Sequence, residues 1–227
     1  MLYLYAVLSA PPPTGPLPAG IGGAPVFYVA ADGLACAASI IGAQTVPPEV
    51  AHVLTHQQVV DAVTGHAPAV PLRFGTGVAD EDACRRMLAR QSGAIRIAIR
   101  QTAGCVELAL RVSGLGDLAS PPDAIRGEGR GAAELRTLAR RERDWPPASP
   151  SFPHDRLGTH AVDRLLWPRS PDQRDLKASF LVRREDLPAF LADLDAFQRA
   201  RPDLGVSCTG PWPPYSFSDP TLWGAPS

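Results

Sequence analysis

The chain has 227 residues, of which 45% are hydrophobic and 20% charged, and its formal net charge at neutral pH is −1. This composition is typical of a folded globular protein and excludes disorder over most of the length. The near-zero net charge gives no general electrostatic footprint for nucleic acid or for a membrane surface. The length allows one large or two small domains with real cores.

The four cysteines are widely spaced and include no Cys-x-x-Cys pair. Residues 1–8 lack the basic segment and the cleavage site of a secretory signal, so they are expected to form a first strand. We therefore expect reduced thiols buried in the core rather than disulfides. The cysteines are Cys36, Cys84, Cys105 and Cys208.

A nearly uncharged stretch, residues 25–46, is long enough to cross a bilayer, but Asp32-Gly33 and Gly42 interrupt it. Two strands joined at the Asp-Gly turn explain the same residues, because this dipeptide favours tight hairpins. The strands are expected at residues 26–29 and 34–41, after an opening strand at residues 2–8 and a proline-rich loop.

A helical pattern begins after Pro47-Pro48 and is expected to end near Gly65. Residues 70–75 predict a short strand, and Asp80 is expected to cap a second helix with an acidic first turn. Residues 94–102 fit a helix or a strand by pattern alone. The expected buried face of the first helix comprises Val50, Val53, Leu54, Val60 and Val63.

The second half of the chain opens with a clean alternation of apolar and polar residues at 106–112, which predicts a half-buried strand. The elements expected after it are a helix from Ala132, a loop at 145–153, a short helix at 159–167, a strand at 178–182, a helix at 187–197 and a strand at 204–208. The first strand, the helix from Ala132 and the last three elements follow the strand, helix, strand, helix, strand order of a ferredoxin-like sandwich.

The segment Gly210-Pro211-Trp212-Pro213-Pro214-Tyr215-Ser216-Phe217 combines three prolines with three aromatics. Two adjacent prolines cannot continue a central strand or a helix, so a stiff strap is expected to leave the last strand. The strap either packs on its own domain or presents an exposed proline-rich ligand to a partner. The large apolar surface of the three aromatic side chains favours packing on the domain.

The strap resembles the C-terminal signature of the gas vesicle protein F/L family. Further matches lie in the strand Leu2-Tyr3-Leu4-Tyr5-Ala6-Val7, in Thr55-His56-Gln57-Gln58-Val59-Val60 and in Val70-Pro71-Leu72-Arg73-Phe74-Gly75-Thr76, in the same order. We call these the four motif segments. The resemblance covers residues 2 to about 218 and favours a helix at 94–102. The shared motifs do not separate the F-like from the L-like member.

The resemblance implies an α+β protein with an N-terminal mixed domain at 1–104, a ferredoxin-like domain at 105–220 and a tail at 221–227. It also implies a non-enzymatic accessory or minor structural protein of the gas vesicle in the cytoplasm. The expected partners are the hydrophobic major shell protein GvpA and other gas vesicle accessory proteins. The expected task is to prevent aggregation of GvpA during nucleation and assembly.

Six residues are expected to contact a partner or to hold the fold where the partner binds, and the arginine and aromatics among them are of the types that dominate interface energy. No cofactor or metal is expected at them. They are Arg73, Phe74, Gly75, Trp212, Tyr215 and Phe217.

An alternative function uses His52 and His56, which stand four residues apart on one predicted helix. This spacing can bind zinc, which would indicate a metal-binding or small-molecule-binding domain. The pair lacks the glutamate of the metalloprotease motif, and the sequence fixes no third ligand. His56 is therefore expected to pack or to cap.

Overall fold

The structure is a computed structural model that describes residues 1–114, 154–167 and 175–218. Its contacts divide the chain into two compact units, the first formed by Met1–Cys105 with the segment that begins at Pro213, the second by Val106–Trp212. The strap from Pro213 thus belongs with the first unit, whereas the expected second domain extended to residue 220. The helix expected from Ala132, the loop at 145–153 and the tail at 221–227 lie outside the described residues.

The first unit contains a sheet in which β1 (Leu2–Ser9) is central. The strand order is β2 (Phe27–Ala31), β3 (Leu34–Ile40), β1, β4 (Ala69–Pro71), and the short β5 (Gly77–Val78) also pairs with β1. The predicted hairpin is confirmed, since β2 and β3 pair antiparallel. Its turn residues Asp32 and Gly33 have φ of 50° and 65°, the left-handed pair that a two-residue hairpin of type I′ requires.

Strand β1 is buried from Leu2 to Leu8 because helices pack near both faces of the sheet. Leu2, Leu4 and Val7 belong to the core cluster that includes helix α2 (Glu81–Thr102). Tyr3 and Tyr5 belong to the opposite cluster, with helix α1 (Val50–His66). An irregularity in the pairing between Leu4 and Ala6 places Tyr5 and Ala6 in the same cluster.

Helix α2 confirms the expected cap and its acidic first turn. The Asp80 side chain accepts a hydrogen bond from the Ala83 amide at 2.8 Å, and Glu81 and Asp82 occupy the first turn. The helix continues to Thr102, so the ambiguous residues 94–102 are helical. Ile95 and Ile99 face the core, while Ile97 is 49% exposed.

Two expectations for the first unit are wrong. Val50, Val53 and Leu54 are exposed, and the buried residues of α1 are His56, Val59, Val60 and Val63. The core side of α1 therefore lies around His56, a polar residue that the apolar pattern could not select. Residues 70–75 form a strand only to Pro71, because the chain then turns at Arg73–Gly75.

The second unit contains strands β6 (Cys105–Ser113), β7 (Ala161–Trp167), β8 (Leu176–Arg183) and β9 (Gly205–Trp212). Helix α3 (His154–Thr159) precedes β7, and α4 (Leu187–Ala200) connects β8 to β9. The described elements thus follow the β-α-β-β-α-β order of a ferredoxin-like domain, with strand order β7-β8-β6-β9. Phe180 and Phe190 pack edge to face in its core, with ring centroids 5.2 Å apart.

Two expectations for the second unit need correction. Residues 161–167 form strand β7 rather than a helix, because they pair antiparallel with β8; tertiary pairing overrides a weak local pattern. Strand β9 continues through Trp212, four residues beyond the expected end, and stops before Pro213. The half-buried pattern of β6 holds except at Glu107, which is buried.

The cysteines behave as packing residues. Cys36, Cys84 and Cys105 are buried, and Cys208 is half-buried. Over the described ranges, no helix combines the length and the hydrophobicity needed to cross a bilayer.

Candidate functional site

The motif segments meet around one buried histidine in the first unit. His56 stacks on Tyr5 with ring centroids 5.5 Å apart, and its edge contacts involve Tyr3 and Phe74, each with a centroid distance of 5.7 Å. The ring centroids of Tyr3 and Tyr5 lie 5.0 Å apart, with the two rings tilted by 59°. We call Tyr3, Tyr5, His56 and Phe74 the Tyr3–His56 cluster. It combines residues from three of the four motif segments.

A chain of hydrogen bonds runs through this cluster. The Leu72 carbonyl can only accept, so His56 Nε2 donates to it at 3.0 Å. Nδ1 of the neutral ring must then accept, so the Tyr3 hydroxyl donates to it at 3.0 Å. The same hydroxyl accepts from the Gly75 amide at 3.0 Å. Every polar group in this hydrogen-bond network has a partner, and the order of donors fixes the histidine tautomer.

Burial sets the charge state of the network. It lowers the pKa of His56 to about 4, against a smaller opposite effect of the hydrogen bond to Leu72. Burial also raises the pKa of Tyr3 to about 12. Both side chains are therefore neutral at pH 7, as the assigned donors require.

The network fixes the turn that carries Arg73, Phe74 and Gly75. The turn is held at Leu72 by His56 and at Gly75 by Tyr3. Gly75 has φ of 86°, which disfavours any side chain there. Phe74 is half-buried in the cluster, while Arg73 is exposed. The turn therefore presents Arg73 to solvent on a fixed backbone.

A second tyrosine-centred contact lies beside this network. The Tyr5 hydroxyl accepts from the Ile21 amide at 2.9 Å and lies 2.8 Å from the Ser39 hydroxyl. Burial raises the pKa of Tyr5 as well. The opening strand thus ties the proline-rich loop and strand β3 to the same core.

The C-terminal strap reaches the same helix. The Tyr215 hydroxyl donates to the Gln57 side chain at 3.0 Å, and Tyr215 packs against the apolar cluster that contains Tyr3 and Val60. All four motif segments therefore contribute to the core of the first unit. Pro213 and Pro214 are buried, which disfavours an exposed proline-rich ligand.

The two remaining strap aromatics differ in exposure. Phe217 is buried at 8% exposure, whereas Trp212 is 43% exposed at the end of β9. The Trp212 indole donates to the Thr209 hydroxyl over 3.4 Å. Phe217 is thus placed for packing, whereas Trp212 is exposed to solvent.

The alternative based on His52 and His56 finds no support in this geometry. Both nitrogens of His56 are bonded within the protein, and Nδ1 of His52 lies 3.0 Å from the Pro47 carbonyl. In the part of the chain that the structure describes, no group of three or more potential ligands is placed to hold a metal. A metal bound to one nitrogen of His56 would have to displace the hydrogen bond to Tyr3 or the hydrogen bond to Leu72.

One surface feature was not expected from the sequence. Val50, Val53 and Leu54 form an apolar stripe on the first two turns of α1, with exposures of 76%, 41% and 56%. Because the three positions are spaced i, i+3 and i+4, they share one face of the helix. We call this the α1 apolar stripe. The sequence contains this stripe as apolar residues at helical spacing, a pattern that predicts a core face and not an exposed one.

The fold and the site define an α+β protein whose four motif segments converge in the core of its first unit. The chain belongs to the gas vesicle synthesis protein GvpL/GvpF family, whose model matches residues 1–219. The family resemblance of the motif segments is confirmed.

Individual relatives agree with this assignment. The chain is 29% identical to gas vesicle protein F2 of Halobacterium salinarum over 173 residues, which cover 74% of this chain and 69% of the relative. It is 25% identical to gas vesicle protein F1 of the same organism over 167 residues, covering 72% and 67%.

Solved structures show the same fold. The crystal structure of gas vesicle protein GvpF from Anabaena sp. PCC7120 superposes with a TM-score of 0.72 at 19% identity, over 100% of this chain and 99% of that one. The crystal structure of GvpF from Microcystis aeruginosa superposes with a TM-score of 0.72 at 20% identity, over 96% of this chain and 98% of that one.

Proposed function

We propose that this gas vesicle protein is a non-enzymatic accessory or minor structural component that binds the major shell protein GvpA. It keeps GvpA from aggregating and so assists nucleation and assembly of the vesicle. Membership of the GvpL/GvpF family supports the gas vesicle role. The α1 apolar stripe is the observation that carries the binding proposal.

The stripe has the properties of a docking surface for an apolar partner. Its three side chains are exposed on the first two turns of a helix whose later turns are held in the core by His56, Val59 and Val60. Burying apolar surface on a partner contributes about 25 cal/mol per Å². A rigid helix loses little conformational entropy on binding, so most of that gain is retained.

The β2–β3 hairpin offers less exposed apolar surface to a partner than the α1 apolar stripe does. Strand β3 is buried from Leu34 to Ser39, and Ile40 alone among its large apolar residues is exposed, at 65%. Arg73, on its fixed turn, and the exposed Trp212 are the remaining candidates from the sequence for partner contact. We propose that the other candidate residues stabilise the fold beneath the partner-binding surface; they are Phe74, Gly75, Tyr215 and Phe217.

The test is co-expression with GvpA, followed by pull-down and measurement of soluble GvpA. We expect the wild-type protein to co-purify with GvpA and to increase its soluble fraction. The double variant Val50→Asp/Leu54→Asp places two charges in the stripe and should lose both effects. Leu191→Asp is the control, because Leu191 is 40% exposed on α4 of the second unit and is not part of the stripe.

Two results would contradict the proposal. Wild-type protein that neither binds GvpA nor changes its solubility would exclude direct action on the subunit. Binding that survives the double variant but is lost in the Leu191 variant would place the contact elsewhere. Circular dichroism of each variant establishes that the fold is retained.

A further inference from the structure

The outward face of α2 carries three arginines without acidic partners. Arg86, Arg90 and Arg100 are exposed, and none of them makes an ion pair or a side-chain hydrogen bond within residues 1–114, 154–167 and 175–218. At 100° per residue the three positions fall within about 80° of arc, and they span about 21 Å along the axis. We call this the α2 arginine stripe.

Neighbouring arginines of the same helix are already paired. Arg85 contacts Glu81 at 2.6 Å and Asp82 at 2.8 Å. Arg96 reaches Asp32, at the turn of the β2–β3 hairpin, at 3.9 Å. The acidic side chains in the first turn of α2 thus pair with Arg85, and among the described residues none forms an ion pair with the arginine stripe.

The middle of the stripe is not charged. Gly93 leaves the helix surface bare, and Ile97 is 49% exposed between Arg90 and Arg100. A bare position allows close approach of another helix, and the isoleucine offers apolar contact at the centre. An apolar centre with arginines around it has the composition of a protein interface.

We propose that the α2 arginine stripe docks an acidic helical segment of a partner protein. Each guanidinium matches a carboxylate in a planar, two-bond geometry, and Ile97 packs on an apolar residue of the partner. The central Ile97 and the net charge of −1 favour a protein over a nucleic acid as the occupant. This surface is independent of the α1 apolar stripe.

A second copy of the chain does not fit this surface. An antiparallel pair of α2 helices crossing at Gly93 would place Arg86 of one copy opposite Arg100 of the other, since each lies seven residues from the crossing point. A parallel pair would set each arginine against itself. Both arrangements oppose like charges, so the partner is a different, acidic chain.

The experiment is an NMR titration of the ¹⁵N-labelled full chain with a synthetic helical peptide. The peptide is built on alanine and glutamine, with glutamates spaced to face the three arginines and a leucine to face Ile97. A peptide with lysine at the glutamate positions is its control. We expect shifts confined to α2 amides with the glutamate peptide alone, and weaker binding as salt is raised.

Variants separate specific docking from general charge. The double variant Arg86→Glu/Arg90→Glu should lower the affinity for the glutamate peptide at least tenfold. Arg183→Glu/Arg184→Glu changes the net charge equally at exposed positions of the second unit and should leave the affinity unchanged. Equal losses in both double variants would overturn the proposal. So would the absence of α2 shifts at millimolar peptide, or tighter binding of duplex DNA or phosphatidylserine vesicles through the same arginines.

Discussion

The Tyr3 hydroxyl and Nδ1 of His56 lie 3.0 Å apart in the core of the first unit, although 53 residues separate them in the chain. This bond joins the opening strand to α1, and its continuation to Leu72 and Gly75 fixes the turn that presents Arg73. Three motif segments are thus linked by side-chain chemistry that a helix or strand pattern does not contain.

Removing either partner of this bond should be costly. Tyr3→Phe removes the hydrogen-bond partner of His56 Nδ1 and of the Gly75 amide, and His56→Leu leaves the Leu72 carbonyl without its donor and the Tyr3 hydroxyl without its acceptor. Each unsatisfied buried group costs about 1–3 kcal/mol, so we expect each variant to lose about 2–4 kcal/mol of unfolding free energy. Urea denaturation measures the loss.

The chain supplies a matched control for this prediction. The Tyr28 hydroxyl is buried and has no hydrogen-bond partner among the described residues. Tyr28→Phe removes that hydroxyl without breaking a bond and should be neutral or slightly stabilising. The Tyr3 and His56 losses should also be less than additive, by about 0.5–3 kcal/mol. Full additivity would mean that the two side chains act separately.

Acid should destabilise the fold through His56. Burial lowers its pKa from 6.5 to about 4, so between these values the unfolded chain binds a proton that the folded chain does not. Stability therefore falls as pH decreases from about 6.5 to about 4. At about 1.36 kcal/mol per pKa unit, the His56 contribution approaches 3 kcal/mol.

The measurement is urea denaturation of the wild type and His56→Leu at several pH values between 7.5 and 4. Carboxylates and other histidines titrate in both proteins, so the difference between the two curves isolates His56. We expect the stability gap between the two proteins to shrink as the pH falls. A gap that stays constant would show that His56 titrates normally.

The two strap aromatics should differ in their effect on stability. Phe217 is 8% exposed, and Phe217→Ala should cost about 3–5 kcal/mol, as expected for a buried aromatic. Trp212 is 43% exposed, so Trp212→Ala should cost less than about 1.5 kcal/mol. Thermal or urea unfolding compares them. If the order were reversed, Trp212 rather than Phe217 would secure the strap.

Thiol reactivity should follow burial. Burial raises the pKa of Cys208, but the side chain remains half-buried, whereas Cys36, Cys84 and Cys105 are buried. Because the thiolate is the reactive form, we expect a disulfide reagent to label Cys208 slowly in the native protein. The other three thiols should react only on unfolding. Cys208→Ser should abolish the native reaction; its persistence would indicate an opening of the core.

Local signals in the sequence identified several elements correctly. The Asp32-Gly33 turn requires positive φ, and Asp80 with its acidic neighbours sets a helix start. The opening strand and the hairpin follow from β-rich runs bounded by turn residues. The family resemblance also rests on local motifs, and these are visible in the sequence alone.

Where local patterns were ambiguous, only the tertiary contacts decided. Residues 161–167 became a strand because β8 offers them a partner. Val50, Val53 and Leu54 lie outside because the core side of α1 is set by Tyr3, Tyr5 and Phe74 packing on His56. Periodicity reports that a helix has an apolar face, but not which neighbour covers it.

The sequence by itself determined the family, the α+β class and most element positions, because turn chemistry, capping and strand alternation act over a few residues. The tertiary structure alone decided that the motif segments converge on His56, that the strap from Pro213 packs with the first unit, and that an apolar stripe and an arginine stripe face solvent. Burial and hydrogen bonding across tens of residues depend on the packed chain, and no local pattern encodes them.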